Sequence, residues 1–563
     1  MSRSGKSILL VRVPEIEFQA ASDDLRSRSV AGLAVPLGVT YLASYIRDYS
    51  DYEVQILDLY AEDFLKYTSR MEDSDVLNLA TGKLLDAISF LKPEIIGFSA
   101  LFLYQYNLVK ALARAVRDAN PEIKIILGGF STVAAEVALH DIPALDMVFI
   151  GEAEKPLLKV IEGGFDGRSF EGINGIGYRK GNQIQLNRTP DLVTDLSKIP
   201  FPAFDLLPLE SYKKILGRNE FPFLTTRGCP FNCNFCSSRL YAGNVLRRRS
   251  HDDLMSEVKK LRDIYEIDFL WIRDDNFNCN REHAKTFLRG LIDGGLTVPW
   301  CDSNSFHVNS TDEELLDLCK ASQCAEVIFA IESGSPRVLK EVMNKKVDLN
   351  HAMKIAEYCK RINLPFECYF VIGNPGETKE EIQQTIDFVM LLQPDHCVFS
   401  IATPFPGTRY YETALERGYL KNDYQSITDM KYMQATMATE DFSTEWLKDT
   451  QYDANIKLNF LRNRLVFNKE RASLEQGLKK YGDTFQQYRF HAISRLLEGY
   501  FYLALGNTNQ GYRIFQEVQE MLKDREIAKA YSKYFQWDTP ATNAYLQWSQ
   551  RRGENLHEKA NQL

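Results

Sequence analysis

The sequence predicts an α/β protein built from two successive strand–helix series and a helical tail. Three features of its 563 residues carry that expectation. Five short apolar runs alternate with amphipathic stretches over the first 165 residues. Six more such repeats run from Phe221 to about residue 402. Beyond about residue 430 the chain turns helix-forming and rich in aromatic side chains. Short apolar strands separated by helices of about ten or more residues imply βαβ units, hence parallel sheets covered on both faces. At roughly 100–200 residues per domain the length fits about three to five units, fewer if one is a large barrel.

In the first series the candidate strands are Ser7–Val13, Tyr52–Asp58, Glu94–Ser99, Lys124–Leu127 and Met147–Ile150. Helices are expected over Leu37–Arg47, Tyr106–Ala119 and Lys155–Ile161. Ligands of such sheets bind beyond the C-terminal strand ends. The segments after Val13 and Ser99, and the pair Gly128-Gly129, therefore face a site. Residues 166–215 are polar and rich in turn formers, and read as a small hairpin and a linker.

The second series places strands at Phe223–Thr226, Phe269–Arg273, Cys301–Phe306, Val327–Ile331, Glu367–Ile372 and Cys397–Ala402. Helices are expected near 252–265, 281–294, 312–322, 350–362 and 377–392. Six βα repeats in about 200 residues give a partial barrel, again with its site at the strands' C-terminal ends. The expected divisions are 1–165, 166–215, 216–430 and 431–563. In the last, Leu497 to Phe515 has the look of one helical hairpin from a TPR-like repeat. A single unit is not an array, which needs about three or more, so the region reads as a helical cap, over the active site or as a partner surface.

Composition narrows the class. The chain is 45% hydrophobic, far too apolar for a disordered protein. An excess of 76 acidic over 67 basic residues gives −9, which argues against nucleic acid as a partner. No run of about 18 apolar residues suggests a membrane span. The N-terminus turns strand-like at once and has no signal-peptide pattern, so a cytoplasmic location is expected. Ten Cys are too sparse for a disulfide scaffold.

Three of those Cys crowd into Thr226-Arg-Gly-Cys229-Pro-Phe-Asn-Cys233-Asn-Phe-Cys236. Thiolates spaced C-x3-C-x2-C on a loop after a strand can ligate three irons of a cubane. A 4Fe–4S cluster normally takes four, so one iron stays open to a small molecule. The alternatives are a zinc site and buried free thiols. Zinc would want a fourth ligand, and the next His, His251, lies fifteen residues beyond Cys236, outside usual finger spacing.

At this motif the sequence resembles the radical S-adenosylmethionine (SAM) superfamily. The resemblance implies that Cys229, Cys233 and Cys236 hold a 4Fe–4S cluster whose open iron chelates SAM. Reduction of that cluster, by a flavodoxin or ferredoxin in the family, cleaves SAM to a 5′-deoxyadenosyl radical. An unactivated C–H bond offers no acidic proton to a base, so the cofactors carry that chemistry. The resemblance further implies SAM contacts at Phe235, Asp274-Asp275-Asn276, Glu332-Ser333, Gly373 and the turn at Pro404.

The N-terminal segments Val35–Ile46, Ile95–Ser99, Ile126–Gly129 and Phe149–Glu154 closely resemble the cobalamin-binding domain that precedes such barrels. Ser99, Gly128, Gly129, Gly151 and Glu152 are the implied cobalamin contacts. No Asp-x-His-x-x-Gly occurs, and the domain's one His, His140, lies outside such a context. Cobalamin is then expected base-off, without a protein His on cobalt. The fold class implied is a Rossmann-like cobalamin-binding domain, a partial (β/α)6 radical SAM barrel and a C-terminal helical region.

No Cys precedes Cys229 and none follows Cys397, which disfavours a second N-terminal or a C-terminal auxiliary cluster. The other seven read as core packing. Within the cobalamin-dependent members, residues 225–375 look most like the methylases of phosphonate pathways. That likeness implies methyl transfer from SAM, via methylcobalamin, to an unactivated carbon of a small molecule, whether anionic or a natural product. The alternative is a non-methylating oxidative cyclase like the anaerobic porphyrin-ester cyclases, with the aromatic stripe Tyr500, Phe501, Tyr502, Tyr512 and Phe515 lining a flat pocket. Arg247–Arg249 are candidates to meet an anionic substrate or the SAM carboxylate, with Ser250 expected to cap the next helix.

Overall fold

The computed structural model describes residues 6–16, 32–68, 71–165, 170–420 and 435–551. The division expected at 430/431 lies outside them, and that at 165/166 sits at their edge. The first sheet holds β1 (Ser7–Arg12), β2 (Glu53–Asp58), β3 (Ile95–Ala100), β4 (Lys124–Gly129) and β5 (Met147–Phe149), all parallel. The hairpin strands β6 (Ile176–Lys180) and β7 (Gln183–Asn187) extend it antiparallel from β5. The order is β2-β1-β3-β4-β5-β6-β7. Between β1 and β3 the strand order reverses direction, the point at which open α/β sheets form a crevice at their C-terminal strand ends. Separate apolar cores cover the two faces, which is why the strands read as nearly continuous apolar runs.

The second sheet runs β8 (Glu220–Phe223), β11 (Phe269–Ile272), β12 (Trp300–Asp302), β13 (Cys324–Glu332), β14 (Phe366–Ile372) and β15 (His396–Ile401), all parallel. Between the first two, β9 (Thr226–Arg227) pairs antiparallel with β10 (Arg247–Arg248). Alternation sorts the side chains. Leu270, Ile272, Trp300, Val327, Phe329 and Phe370 meet the surrounding helices in the main core. Phe269, Trp271, Cys301, Ile328 and Tyr369 form a small cluster on the opposite, lumen face. The barrel is open, with β8 and β15 as its edges.

The C-terminal helices solve the edge problem at β15. An edge strand exposes unpaired backbone groups, and here side-chain amides take the place of a seventh strand. Asn459 Oδ1 accepts the Cys397 N–H at 2.8 Å while its Nδ2 donates to the Cys397 carbonyl at 2.7 Å. Asn455 and Gln451 do the same for Phe399. All three lie on the helix Thr444–Ile456 and the π-turn Lys457–Leu461 that follows it. The expected hairpin is present as helices Ala492–Ala504 and Thr508–Met521. Its Phe501 and Phe515 are fully buried in the tail's own core, with Tyr500 and Tyr512 packed against it. Four of the stripe's five rings are therefore core rather than the wall of a flat pocket.

Two strands end earlier than the pattern suggests. The strand expected at Phe223–Thr226 is β8, finishing at Phe223, because Thr225 and Thr226 are drawn onto Asp274. The strand expected at Cys301–Phe306 stops at Asp302, whose carboxylate accepts the Asn304 N–H in a tight turn. Among the described residues no helix is long and apolar enough to cross a membrane.

Candidate functional site

The cysteine loop leaves the barrel mouth on scaffolding that the sequence spreads over four elements. Asp274, wholly buried after β11, accepts the Thr225 N–H at 2.7 Å, the Thr226 hydroxyl at 2.8 Å and the Thr225 hydroxyl. Asp275 accepts from the Gly228 N–H at 3.1 Å and from the Ser238 and Tyr241 hydroxyls at 2.9 Å. Asn234, between the second and third Cys, donates its N–H to the Met343 carbonyl and its side-chain amide to that of Val342. These acceptors end the π-turn Val338–Val342, a feature that recurs at functional sites. Phe231 stacks on His307, ring centroids 4.5 Å apart.

Gly228 has φ +88, and a Cβ there would stand 2.5 Å from the Val245 carbonyl oxygen and 2.9 Å from that of Ala242. Gly228→Ala is expected to cost about 1–3 kcal/mol in local backbone strain. It should lower the iron held per chain after reconstitution while leaving far-ultraviolet circular dichroism unchanged.

Burial pushes the Cys233 thiol up to about 12 and the Cys236 thiol up to about 11. Opposing it, the Phe231 N–H donates to Cys229, the Ser238 N–H to Cys236 Sγ at 3.5 Å, and the Lys345 ammonium attracts all three sulfurs. Backbone donors and a cation at a thiol stabilise the thiolate a metal needs. Among the described residues no three His, Cys, Asp or Glu side chains are arranged to hold a single metal ion. A cubane instead takes each thiolate on a different iron, and a three-thiol loop with N–H···S donors fits that group.

The SAM residues expected from the sequence fall into three environments. Asp274 is spent on the threonines and Asp275 on the cysteine loop, so both act as positioning residues in this structure. Asn276 is 8% exposed with its Oδ1 unpartnered, an acceptor available to a ligand. Phe235 lies within the loop, its ring 6.0 Å from that of Tyr410. Glu332, at φ +73, pairs with Lys345 at 2.8 Å, whereas Ser333 is fully buried against Thr385. Gly373 sits at φ +77 with its hydrogen side pressed against Leu447. Pro404 is buried in the turn after β15.

Sequence reasoning missed Lys345, His307 and Tyr410. Lys345 lies in Asn-Lys-Lys after the π-turn, and no spacing rule singles it out. Glu377, four residues after Gly373, is a further one. Its Oε2 accepts the Gly373 N–H at 2.8 Å, the Asn374 N–H at 3.0 Å and the Asn374 side-chain amide at 2.9 Å, while Oε1 has no partner.

Burial raises Glu377 from 4.5 to about 7, against those hydrogen bonds. A carboxyl raised on folding contributes stability that is full below about 4.5 and lost as pH rises through about 7. The stability of the protein relative to Glu377→Gln is therefore expected to fall by about 3 kcal/mol between those limits. Urea midpoints measured in parallel across that range test it.

The expected cobalamin residues divide in two. Ser99, Gly128 and Gly129 sit together at the ends of β3 and β4, with Ser99 opposite Gly128. A Cβ on Gly128 would meet nothing within 4 Å, while one on Gly129 (φ +99) would collide with the Ala100 carbonyl. That open crest beside the β1/β3 crevice fits a large planar ligand lying on backbone. Gly151 and Glu152 lie elsewhere, at the joint with the barrel. A Cβ on Gly151 would stand 2.9 Å from the Tyr241 carbonyl. Glu152 is gripped by Arg247 through two oxygens, at 2.7 and 2.9 Å, and also accepts the Val193 N–H. Glu154 pairs with Arg227 at 2.8 Å.

Two of the three arginines expected to meet an anion are likewise committed, while Arg248 is exposed to solvent. Arg247 holds Glu152, and Arg249 holds Asp253 and Glu257, each at 2.6 Å. Both are buried, so neither is free for a substrate. Ser250 does cap the next helix, accepting the Asp253 N–H at 3.2 Å.

Two family models match separate stretches of the chain. The radical SAM superfamily matches residues 223–389, and the B12 binding domain matches residues 25–161. An uncharacterised methyltransferase of Pyrococcus horikoshii is 32% identical over 70% of this chain and 81% of its own length. Cytidylyl-2-hydroxyethylphosphonate methyltransferase of Streptomyces wedmorensis is 30% identical, covering 71% of this chain and 81% of its own. The cobalamin-dependent SAM radical enzyme OxsB, solved with aqua-cobalamin and SAM bound, shares the fold at a TM-score of 0.65 and 14% identity, over 96% of this chain and 83% of its own. The cysteine loop at a barrel mouth, joined to an open sheet crest, together with these relatives, shows that the chain belongs to the cobalamin-binding radical SAM enzyme family.

Proposed function

We propose that this enzyme is a C-methyltransferase, moving a methyl group from SAM to an unactivated carbon of a small molecule. The observation that carries the reading is the joint. Arg227, on the strand that launches the cysteine loop, pairs with Glu154, and Arg247 beside it pairs with Glu152, both just beyond the last parallel strand of the first sheet. The two cofactor sites are thereby held by one buried ionic seam. Its relatives' printed activities point the same way.

In this reading the four segments 1–165, 166–215, 216–430 and 431–563 are a cobalamin domain, a linker, the barrel and the edge-capping helices. Cys229, Cys233 and Cys236 hold the cluster; Asn276, Phe235, Glu332 and Gly373 face SAM; Ser99, Gly128 and Gly129 carry cobalamin. Bound, the cluster with SAM supplies a carbon-centred radical and cobalamin supplies methyl transfer. Cobalamin sits base-off without a protein ligand on cobalt. His140 ends the helix Ser131–Asp141, which starts at the C-terminal end of β4 and runs back to the opposite edge of the sheet, and its side chain is 80% exposed. The electron comes from a flavodoxin or ferredoxin.

Anaerobic incubation with cluster, cobalamin, SAM and a strong reductant tests the reading. S-adenosylhomocysteine together with 5′-deoxyadenosine supports methyl transfer. Deoxyadenosine alone favours the cyclase-like alternative.

A further inference from the structure

With Arg247 and Arg249 consumed by carboxylates, a different arginine is left uncommitted at the barrel mouth. Arg273 follows β11 on the lumen-facing side of the strand, in step with Phe269 and Trp271. Its guanidinium folds over the Trp271 ring at 5.3 Å, and its Nη1 donates to Ser303 Oγ at 2.8 Å. It makes no ion pair among the described residues. Glu220, Asp302 and Glu15 act on it through space, and burial works against its charge. Beside it, Trp271 Nε1 is buried with no acceptor.

This end of the lumen thus holds a guanidinium and an indole N–H with donors to spare. A half-buried guanidinium with no carboxylate in contact is costly. Its forked donors match a tetrahedral or planar oxyanion. We propose that Arg273, with Trp271 Nε1, is the anion-recognition point of the substrate site, and that the substrate presents an oxyanion such as a phosphonate to it. The proposal rests on the methyltransferase reading above. SAM's carboxylate and cobalamin's phosphodiester are the other oxyanions that enter this mouth, so the test separates them.

The loaded enzyme and its Arg273→Met and Arg273→Lys variants are titrated with methylphosphonate by calorimetry, and separately with SAM and cobalamin. Methylphosphonate is expected to bind the parent and to bind Arg273→Met about tenfold or more weakly, with Arg273→Lys between them. SAM and cobalamin affinities should stay within about twofold, less than 0.5 kcal/mol. No methylphosphonate binding by the parent, equal binding by Arg273→Met, or a loss confined to SAM or cobalamin would overturn the proposal. Substrate-free formation of 5′-deoxyadenosine is followed in the same samples. Its absence in the parent sinks the enzyme reading itself, whereas its presence beside an unchanged methylphosphonate titration sinks only the role of Arg273.

Discussion

Replacing Cys233 with alanine is expected to reduce SAM cleavage more than about 100-fold. Changing a group that merely orients a metal ligand already costs about 10–100-fold, and here a ligand itself is lost. Cys233 is the middle thiol of the loop, flanked by the clamped Asn234 and facing the Lys345 ammonium. With it gone, two thiols remain to hold a cluster that needs at least three. Because the loop is held by Asp275 and by Asn234 rather than by the Cys233 side chain, the fold should survive, with unchanged circular dichroism and a normal urea midpoint. Iron and acid-labile sulfide per chain, measured beside 5′-deoxyadenosine formation, check the expectation. A Cys233→Ala protein that keeps its cluster and its cleavage rate would remove the three-thiol assignment.

The second large effect is at the seam between domains. Arg247→Met leaves Glu152 buried without its bidentate partner, and removing one member of a buried pair costs about 3–5 kcal/mol. The expected result is a separate, earlier unfolding transition of the first domain in urea. Glu152→Gln together with Arg247→Met removes both charges and should recover much of the loss, because similar-sized neutral groups pay no ionic desolvation. The same pair of variants tests the role of Glu152. If it acts at the seam, the double variant holds cobalamin like the parent. A double variant that is stable but cobalamin-free would restore Glu152 to the cofactor's contacts.

Most of the architecture was legible because each strand alternates or runs apolar and each helix shows its own period. Helices such as Tyr106–Ala119 match their expected bounds. What escaped are features set by side chains distant in sequence. The ends of β8 and β12 are fixed by Asp274 and Asp302, whose hydrogen bonds override a local preference to continue as strand. Glu152 reads locally as part of a strand-end motif, yet its partner is 95 residues away, and no periodicity reports such a pairing. The same holds for Arg247 and Arg249, which read in sequence as candidates to meet an anion and are buried in ion pairs. Lys345 acts on the thiols through space from the segment that follows the π-turn, far from them in sequence. The cysteine motif was legible because its spacing is short enough to be a property of one loop.

The central claim is that one chain carries both a cluster at the barrel mouth and a cobalamin on the first sheet. Anaerobic reconstitution followed by metal analysis and electron paramagnetic resonance tests it most directly. The account predicts about four irons and about one cobalt per chain, with a cob(II)alamin signal free of axial nitrogen splitting, as base-off cobalamin without His140 on cobalt requires. Iron without cobalt, or a cobalt signal split by an axial nitrogen, would contradict it.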